Sequence, residues 1–440
     1  NINFKGRNIK VVGANRETTI IDGNQSGSTV LIVNNETSST LLSGFTIKNG
    51  SGVDSYHSDE NEDLYTGGGV YIVDSSPQLN NLYFVDNSVN HYGGGVAVYE
   101  NNGIQDVIII KDVIFDNNYS GSDGGGLSVL GNAGGEVLVE NCLFISNTSP
   151  GGGAIFSKGG IVKKFINQCI FIQNSGSGSV FKADHGDSTI FTNSIFYDND
   201  GTEIFIERVD ETTPEIYVGI QYSLTDFEFD SMYVSTGSTL ENLGGNIDVD
   251  PMFVDTANGD YTLQMDSPLI DAGHPDSTDA DGTIADIGAY YYDQSGQPKR
   301  VQGFVTTPTD SSEIILTWDA LSPEPDHYAI YRSTDMNADF YSLNPHISSV
   351  AGNAITIIDD NQVTEDITYY YRIKGIDAEG EEGLLALLNH GRLGLDSTSL
   401  YMQDAYLTHT TGTGLDAGSS YTLEAFVRFP AFPTDPINFI

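Results

Sequence analysis

Short apolar stretches recur along the first half of the chain, where they flank repeated glycine and phenylalanine motifs. Residues 107–110 and 137–139 are examples, and their length predicts β-strands rather than helices. A glycine triplet followed by an aliphatic residue or alanine begins at residues 67, 93, 124 and 151, in steps of 26, 31 and 27 residues. A second motif, Phe-x-x-Asn, keeps the same pace and begins at Phe84, Phe115, Phe144, Phe171 and Phe196, with a looser form at Phe45.

This internal repeat predicts a stack of coils. One repeat cannot bury its apolar face alone, whereas stacked repeats bury a continuous core and pair each strand with its equivalents. We expect phenylalanine to stack on phenylalanine inside, and asparagine amides to bond along the axis as in side-chain ladders. Glycine permits close backbone approach at the corners. The period is too short for a propeller blade and lacks helical spacing, so a parallel β-helix is the predicted fold.

The same motifs resemble the repeats of the polymorphic outer membrane protein family and, more broadly, right-handed β-helices of the pectin-lyase-like class. Residues 9–23 and 44–50 are similar to the first coils of such domains. Residues 250–254, 260–263, 267–273 and 286–290 are similar to the end of bacterial β-helix modules. The resemblance implies an all-β chain in which residues 1–297 form a right-handed parallel β-helix with a C-terminal capping region.

A different pattern begins near residue 300. Alternation around Trp318, a second strand near Tyr328 and a tyrosine-rich strand from Tyr369 resemble a fibronectin type III β-sandwich over residues 300–388. The resemblance implies that Trp318 is a core residue and that Tyr369 is the tyrosine-corner residue.

Residues 392–440 resemble the opening strands of a laminin-G-like, concanavalin-like jelly roll. Such a sandwich needs roughly two to three times as many residues for its two sheets. We therefore expect a partial jelly roll here and more protein beyond Ile440.

The net charge of the chain limits the classes of partner that it can bind. The 440 residues contain 18 Lys and Arg against 61 Asp and Glu, a formal charge of −43. This balance argues against nucleic acid and anionic membranes as partners, because both need basic surfaces. No apolar run is long enough for a transmembrane helix. The chain begins without a signal-like segment, so any export signal is expected to lie outside it.

The nearest approach to a catalytic constellation is Lys182, Asp184, His185 and Asp187. A histidine here could act as acid or base, and the aspartates could bind a metal. The set does not match the motifs of polygalacturonase-type hydrolases, and the plainer interpretation is a polar turn between coils. The basic pair Lys163-Lys164 is likewise expected to solvate a turn. Arg208 lies among acidic residues, which favours a surface ion pair.

Calcium is the one cofactor that the sequence suggests. Asp276, Asp279 and Asp281 space their oxygens somewhat like a calcium loop, with Asp286 as a further ligand, although the closing glutamate is missing. A hydrogen-bonded acidic loop is the alternative. The acidic insertion at residues 54–63 is read as a solvated loop rather than a calcium-ordered one.

Two cysteines cannot form a disulfide framework. Cys142 and Cys169 precede Phe144 and Phe171 by the same interval, so we expect them one coil apart and facing inward. A disulfide between adjacent coils would need suitable Cβ geometry. The favoured state is two free, buried thiols.

The three predicted modules together resemble large secreted or cell-surface proteins of bacteria, including adhesins and Bacteroidota proteins of the type IX secretion route. The expected function is a non-catalytic adhesin or glycan-binding protein, located outside the cell or on its surface, with a polysaccharide or a surface glycan or protein as partner. One alternative is a polysaccharide lyase or glycoside hydrolase acting in the β-helix groove. Another is a structural surface component, or cargo held by a secretion translocon. Fold alone does not decide among these.

Overall fold

A computed structural model describes residues 1–54, 64–100, 106–131, 135–159, 162–208, 214–309, 313–360 and 362–393. The chain divides into two compact units, one ending at Ser295 and the other beginning at Gly296. Most of the acidic insertion (residues 55–63) and the predicted jelly roll from residue 394 onward lie outside the described residues. The described segments contain no α-helix. Among them there is consequently no helix long and apolar enough to cross a membrane.

The first unit is a parallel β-helix, as the repeat predicts. One lateral wall is a nine-stranded parallel sheet with the strands Ile2–Asn3, Val30–Ile32, Val70–Val73, Val96–Glu100, Leu127–Gly131, Ile155–Lys158, Phe181–Asp184, Ile204–Glu207 and Tyr233–Val234. Because each strand pairs with the equivalent strand of the next coil, the same sequence position recurs in register along the wall.

The other wall is a fifteen-stranded parallel sheet. It contains Lys10–Val12, Ile20–Asp22, Leu41–Lys48, Gln78–Val85, Val107–Lys111, Ile114–Asp116, Gly135–Glu140, Leu143–Ile145, Val162–Asn167, Ile170–Ile172, Asp187–Thr192, Ile195–Tyr197, Ile216–Gln221, Leu224–Thr225 and Thr239–Gly244. Small two-stranded sheets lie at the corners and insertions: Ser88–Val89 with Tyr119–Ser120, Ser175–Gly176 with Asp200–Gly201, and Val53–Asp54 with Tyr65–Thr66.

Phenylalanine and asparagine form the two ladders expected from the repeat. The buried rings of Phe84, Phe115, Phe144 and Phe171 stack in sequence, with centroids 5.2, 4.6 and 4.9 Å apart. The side-chain amides of Asn87, Asn118, Asn147 and Asn174 each donate to the next asparagine along the axis at 3.0–3.1 Å, and Asn199 accepts the last of these bonds.

The glycine triplets fit against the phenylalanine ladder. A Cβ at Gly95 would lie 2.8 Å from the ring of Phe115, and one at Gly126 would lie 2.9 Å from Phe144. The fourth triplet is out of step by one residue, because the strand register pairs Leu127 with Ile155. Gly124 therefore corresponds to Gly152 rather than to Gly151. The repeat between these two coils is one residue longer than the spacing of the glycine triplets.

Residues 250–294, here called the strap, fold back along the outside of the fifteen-stranded sheet. They include the antiparallel pair Phe253–Asp255 and Asp260–Leu263 and the 3-10 turn Thr256–Asn258. The backbone N–H groups of His274 and Gly288 donate to Asn193 at 2.7 and 2.8 Å, and Gly288 lies against Ile195. The predicted capping region thus covers a lateral wall. The last coils are covered by Phe227, Phe229 and Met232, around the 3-10 turn Phe229–Ser231.

The second unit has its own core and two antiparallel sheets. One contains Val305–Pro308, Ile314–Thr317 and Thr356–Asp359, and the other Ile347–Ala351, His327–Ser333, Thr368–Ile376 and Asn389–Arg392. Trp318 is buried and contacts Tyr328 edge-to-face at 5.3 Å, so the expectation that it is a core residue is confirmed. The Tyr369 hydroxyl donates to the carbonyl of Gln362 and accepts from the N–H of Thr364. The fibronectin type III assignment itself stays a prediction.

Candidate functional site

Alternation along the strand Phe181–Asp184 determines which predicted site residues face outward. Phe181 and Ala183 are fully buried in the coil interior. Lys182 and Asp184 therefore lie on the outer face of the nine-stranded sheet, because successive side chains of a strand point to opposite faces. His185 and Gly186 then turn the chain into the other wall, both with left-handed backbone conformations.

Lys182 lies in a row of aromatic side chains that crosses the outer face. The register places it between Phe156 and Phe205, and its ammonium group is 5.6 and 5.9 Å from their ring centroids. Tyr233 continues the row and stacks on Phe205 at 4.2 Å. A cation beside aromatic faces is favourable because the ring quadrupole is negative there. We call Phe156, Lys182, Phe205 and Tyr233 the outer row.

Acidic side chains fix the position of the lysine. Its Nζ lies 3.2 Å from Oδ1 of Asp123 and 3.9 Å from Oε2 of Glu207. Asp123 belongs to a turn two coils earlier, and it reaches Lys182 across Gly151. A Cβ at Gly151 would collide with Asp123 Oδ1, so only glycine leaves this path open.

A groove of about 370 Å³ runs beside the outer row on the same face. The ring of Tyr92, which lines the groove, stacks nearly parallel on the ring of Phe156 in the outer row, with centroids 5.5 Å apart. The lining residues come from several coils: Leu64, Thr66, His91, Tyr92, Tyr99, Leu130, Gly131, Lys158, Gly159 and His185. Aromatic and apolar groups with a few convergent polar groups are the usual lining of a ligand site.

The polar groups of the groove form a mixed-charge cluster. Lys158 lies 3.5 Å from Asp184, and the His185 ring lies against the same carboxylate. Burial lowers the pKa of His91, although nearby Asp123 opposes this, and burial raises the pKa of Tyr92. His91 Nδ1 is buried and has no hydrogen-bond partner among the described residues.

Asp187 is not part of this face. It lies inside the coils with Lys164, whose Nζ is 2.6 Å from Oδ1, and both side chains are almost fully buried. The four predicted catalytic residues are therefore divided, with Lys182, Asp184 and His185 on the groove face and Asp187 in the interior. The prediction that Lys164 solvates a turn is wrong, since it lies in the strand Val162–Asn167 and alternation turns it inward. Lys163 is exposed.

The predicted calcium residues lie in the strap and accept hydrogen bonds from the backbone. Asp279 accepts from the N–H of Asp286, and Asp281 accepts from Thr283 and Gln294. Asp286 accepts from the N–H groups of Asp271 and Tyr292, while Asp276 is exposed. Across the part of the chain that the structure describes, no three Asp, Glu, His or Cys side chains gather as a metal site. Calcium binding here stays a prediction.

Burial also changes the acidity of these strap residues. It raises the pKa of Asp279 to about 6 and that of Asp286 to about 8, even though both accept backbone hydrogen bonds that favour the charged form.

The remaining predicted residues have simpler outcomes. Cys142 and Cys169 are free and fully buried, as expected. The backbone N–H of Arg208 donates to Ser235. Of the four acidic residues around it, at positions 203, 207, 210 and 211, the last two lie outside the described residues, and the surface ion pair stays a prediction.

Sequence reasoning missed most of the groove. His91, Tyr92 and Asp123 lie just before glycine triplets, and Phe156 follows Gly152 at the same interval as Lys182 follows Gly178. Aligning the chain on the strand register, rather than on the glycines alone, would have placed these residues on one face.

Comparisons with known proteins agree with the repeat. The model of the Chlamydia polymorphic membrane protein repeat matches residues 141–158, which contain one Phe-x-x-Asn motif and one glycine triplet. Among solved structures, an Fn3-like protein from Clostridium thermocellum is 22% identical, with 22% of this chain and 92% of that chain covered and a TM-score of 0.18. No curated protein matches the chain.

Proposed function

We propose that this chain is part of an extracellular or cell-surface glycan-binding protein without catalytic activity, in which the β-helix is a rigid scaffold. The observation that carries the proposal is the groove on the nine-stranded sheet, where Tyr92 and Tyr99 lie beside His91, Lys158 and His185. Aromatic rings offer flat apolar faces on which sugar rings can pack, and the charged groups can bond sugar hydroxyls.

The position of the strap supports this choice of face. It covers outward residues of the fifteen-stranded sheet, so that Ile170 and Ile195 are buried although alternation directs them away from the coil interior. The nine-stranded sheet instead presents partly exposed aromatic side chains, with Tyr233 47% exposed. Rigid scaffolds of this kind position ligand-binding side chains well.

The surface location rests on the polymorphic membrane protein repeat matched at residues 141–158 and on the β-helix fold. We also propose that the second unit is a fibronectin type III spacer. Its three-stranded and four-stranded sheets, buried Trp318 and the Tyr369 hydroxyl bonds support this proposal.

A polysaccharide lyase or hydrolase is the competing enzyme function. A lyase would need Lys182 or His185 to take a proton from a bound sugar, whereas a hydrolase would need a pair of carboxyl groups on either side of the scissile bond. Lys182 instead lies between Asp123 and Glu207 and beside two aromatic rings, which favours a positioning and binding role. A purely structural or secretion-cargo role would leave the groove without a ligand.

One experiment separates these functions. The purified chain is incubated with a panel of neutral and uronate polysaccharides, with and without Ca²⁺, while binding, ultraviolet absorbance of unsaturated ends and new reducing ends are recorded. We expect binding without product. Sustained product formation that is lost in Lys182→Ala or Asp184→Ala would replace the proposal with a depolymerase, and the absence of both would favour the structural role.

Variants locate the binding face. Tyr99→Ala should weaken binding about tenfold, because loss of one aromatic contact of ~1.4 kcal/mol corresponds to that factor. Phe165→Ala is the matched control, since Phe165 is an exposed aromatic residue on the fifteen-stranded sheet. Equal losses in the two variants would place the glycan elsewhere.

A further inference from the structure

A lysine–aspartate contact lies in the interior of the β-helix, apart from the groove. Lys164 and Asp187 lie on neighbouring parallel strands of consecutive coils, and Nζ is 2.6 Å from Oδ1. Their side chains are 2% and 0% exposed. The register aligns Lys164 with Ile108 and Val137 of earlier coils, so the lysine replaces an aliphatic core residue.

The two carboxyl oxygens of Asp187 have different surroundings. Oδ1 accepts from Lys164 and also from the Thr189 hydroxyl at 3.2 Å. Oδ2 is buried and has no hydrogen-bond partner among the described residues. A buried ion pair is stabilising only when its remaining polar atoms also have hydrogen-bond partners. Because Oδ2 lacks one, a permanently charged pair would destabilise the fold at this position.

We propose that Lys164 and Asp187 condense to an intramolecular isopeptide bond that joins two consecutive coils. A proton passes from the Lys164 ammonium to Oδ2, which leaves a neutral amine and a neutral carboxyl group. Nζ then attacks Cγ of Asp187, and the Thr189 hydroxyl donates to Oδ1 as negative charge develops there. The second proton moves from nitrogen to the departing Oδ2, the Cγ–Oδ2 bond breaks, and water leaves.

The reaction needs no partner beyond the protein. An ammonium and a carboxylate become one amide and one water, with no oxidant, reductant or activated donor. Contact with bulk water would keep the pair ionised and would favour the reverse reaction, and the coil interior excludes it. Thr189 acts as a positioning residue. The proposal does not depend on the function of the groove.

Intact mass under denaturing and reducing conditions tests the proposal directly. We expect the wild-type chain to be lighter than its sequence mass by one water, and tandem mass spectrometry of a digest to find a branched peptide joining residues 164 and 187. Succinimide formation at an Asp-Gly step also loses water, so the mapped branch is the decisive observation. The full sequence mass, or a loss mapped elsewhere, would overturn the proposal.

The chain provides its own control. Lys111 and Glu140 are 2.7 Å apart on neighbouring coils but are 39% and 26% exposed, and their peptides should stay unbranched. Lys164→Arg retains a cation and cannot condense, so its mass should equal the sequence mass. Thr189→Val should slow the appearance of the branched peptide. A branched peptide in Lys164→Arg, or an equally frequent one at Lys111, would contradict the assignment.

Discussion

Asn147 shows how much of the β-helix depends on single side chains. Its Nδ2 donates to the carbonyl of Phe115 and to Oδ1 of Asn174. Its own Oδ1 accepts from the backbone N–H and the Nδ2 of Asn118. One fully buried amide therefore satisfies polar groups on two neighbouring coils.

Asn147→Ala should lower the free energy of unfolding by about 3–5 kcal/mol, because several buried polar groups would each lose a partner at a cost of ~1–3 kcal/mol. Urea unfolding followed by circular dichroism measures the change. The adjacent Thr148→Ala serves as control, since Thr148 is exposed and surface changes usually stay within about 0.5 kcal/mol. Equal effects in the two variants would show that the ladder contributes little.

At the scale of elements, carboxyl groups that accept backbone hydrogen bonds stabilise the turns of the strap. Asp279, Asp281 and Asp286 hold its turns through backbone N–H donors. Gln168 on the coils donates to Asp279 at 3.3 Å, so this carboxyl group also joins the strap to the fifteen-stranded sheet.

The raised pKa values give the strap a defined pH response. Burial raises the pKa of Asp279 to about 6 and of Asp286 to about 8, so the folded state binds protons that the unfolded state has released. Stability from this source is complete below the unfolded pKa and is lost as pH rises through the folded values. Burial also raises the pKa of Glu203 to about 7 and raises that of Asp226, which adds to the same trend.

We therefore expect the melting temperature of the first unit to fall between about pH 5 and about pH 9. Asp279→Asn should reduce the part of this fall between about pH 5 and pH 7, because it removes the titrating carboxyl group. The fold should be retained, since the amide still accepts from Asp286 and can donate to a flipped Gln168. The control is Asp293→Asn, whose carboxyl group is exposed and has a pKa lowered by its bonds to Ser295. A flat profile, or equal slopes in both variants, would refute the assignment.

At the scale of the whole molecule, the contacts that recur from coil to coil were predictable from the sequence. The contacts of residues that depart from the repeat were not. Phe144 and Asn147 recur in several coils, so stacking in register follows from the repeat. Lys164 and Asp123 have no equivalent in the other coils that the structure describes, and each contacts a residue of a different coil, Asp187 and Lys182 respectively. The repeat does predict that Lys164 faces inward, because it precedes Phe171 by the interval that separates Val137 from Phe144, but it does not predict the contact with Asp187.

The two units also differ in how they use buried charge. In the second unit, Asp359 accepts from Arg332 and Tyr371 at 2.8 Å and lies 3.0 Å from His346. Burial alone would raise the pKa of Asp359, but the bonds from His346 and Tyr371 and the charge of Arg332 hold it below the usual value. Stability from Asp359 is present above the unfolded pKa and is lost as pH falls through the folded value.

The two units should consequently unfold as separate calorimetric transitions that respond oppositely to pH. Alkaline conditions weaken the first unit through Asp279 and Asp286, and acid weakens the second through Asp359. Asp359→Ala should lower the free energy of unfolding of the second unit by about 3–5 kcal/mol, because it leaves buried donors without their anion. The other transition is the internal control, since the units have separate cores. A single transition that moves as a whole in Asp359→Ala would mean that the two units unfold as one.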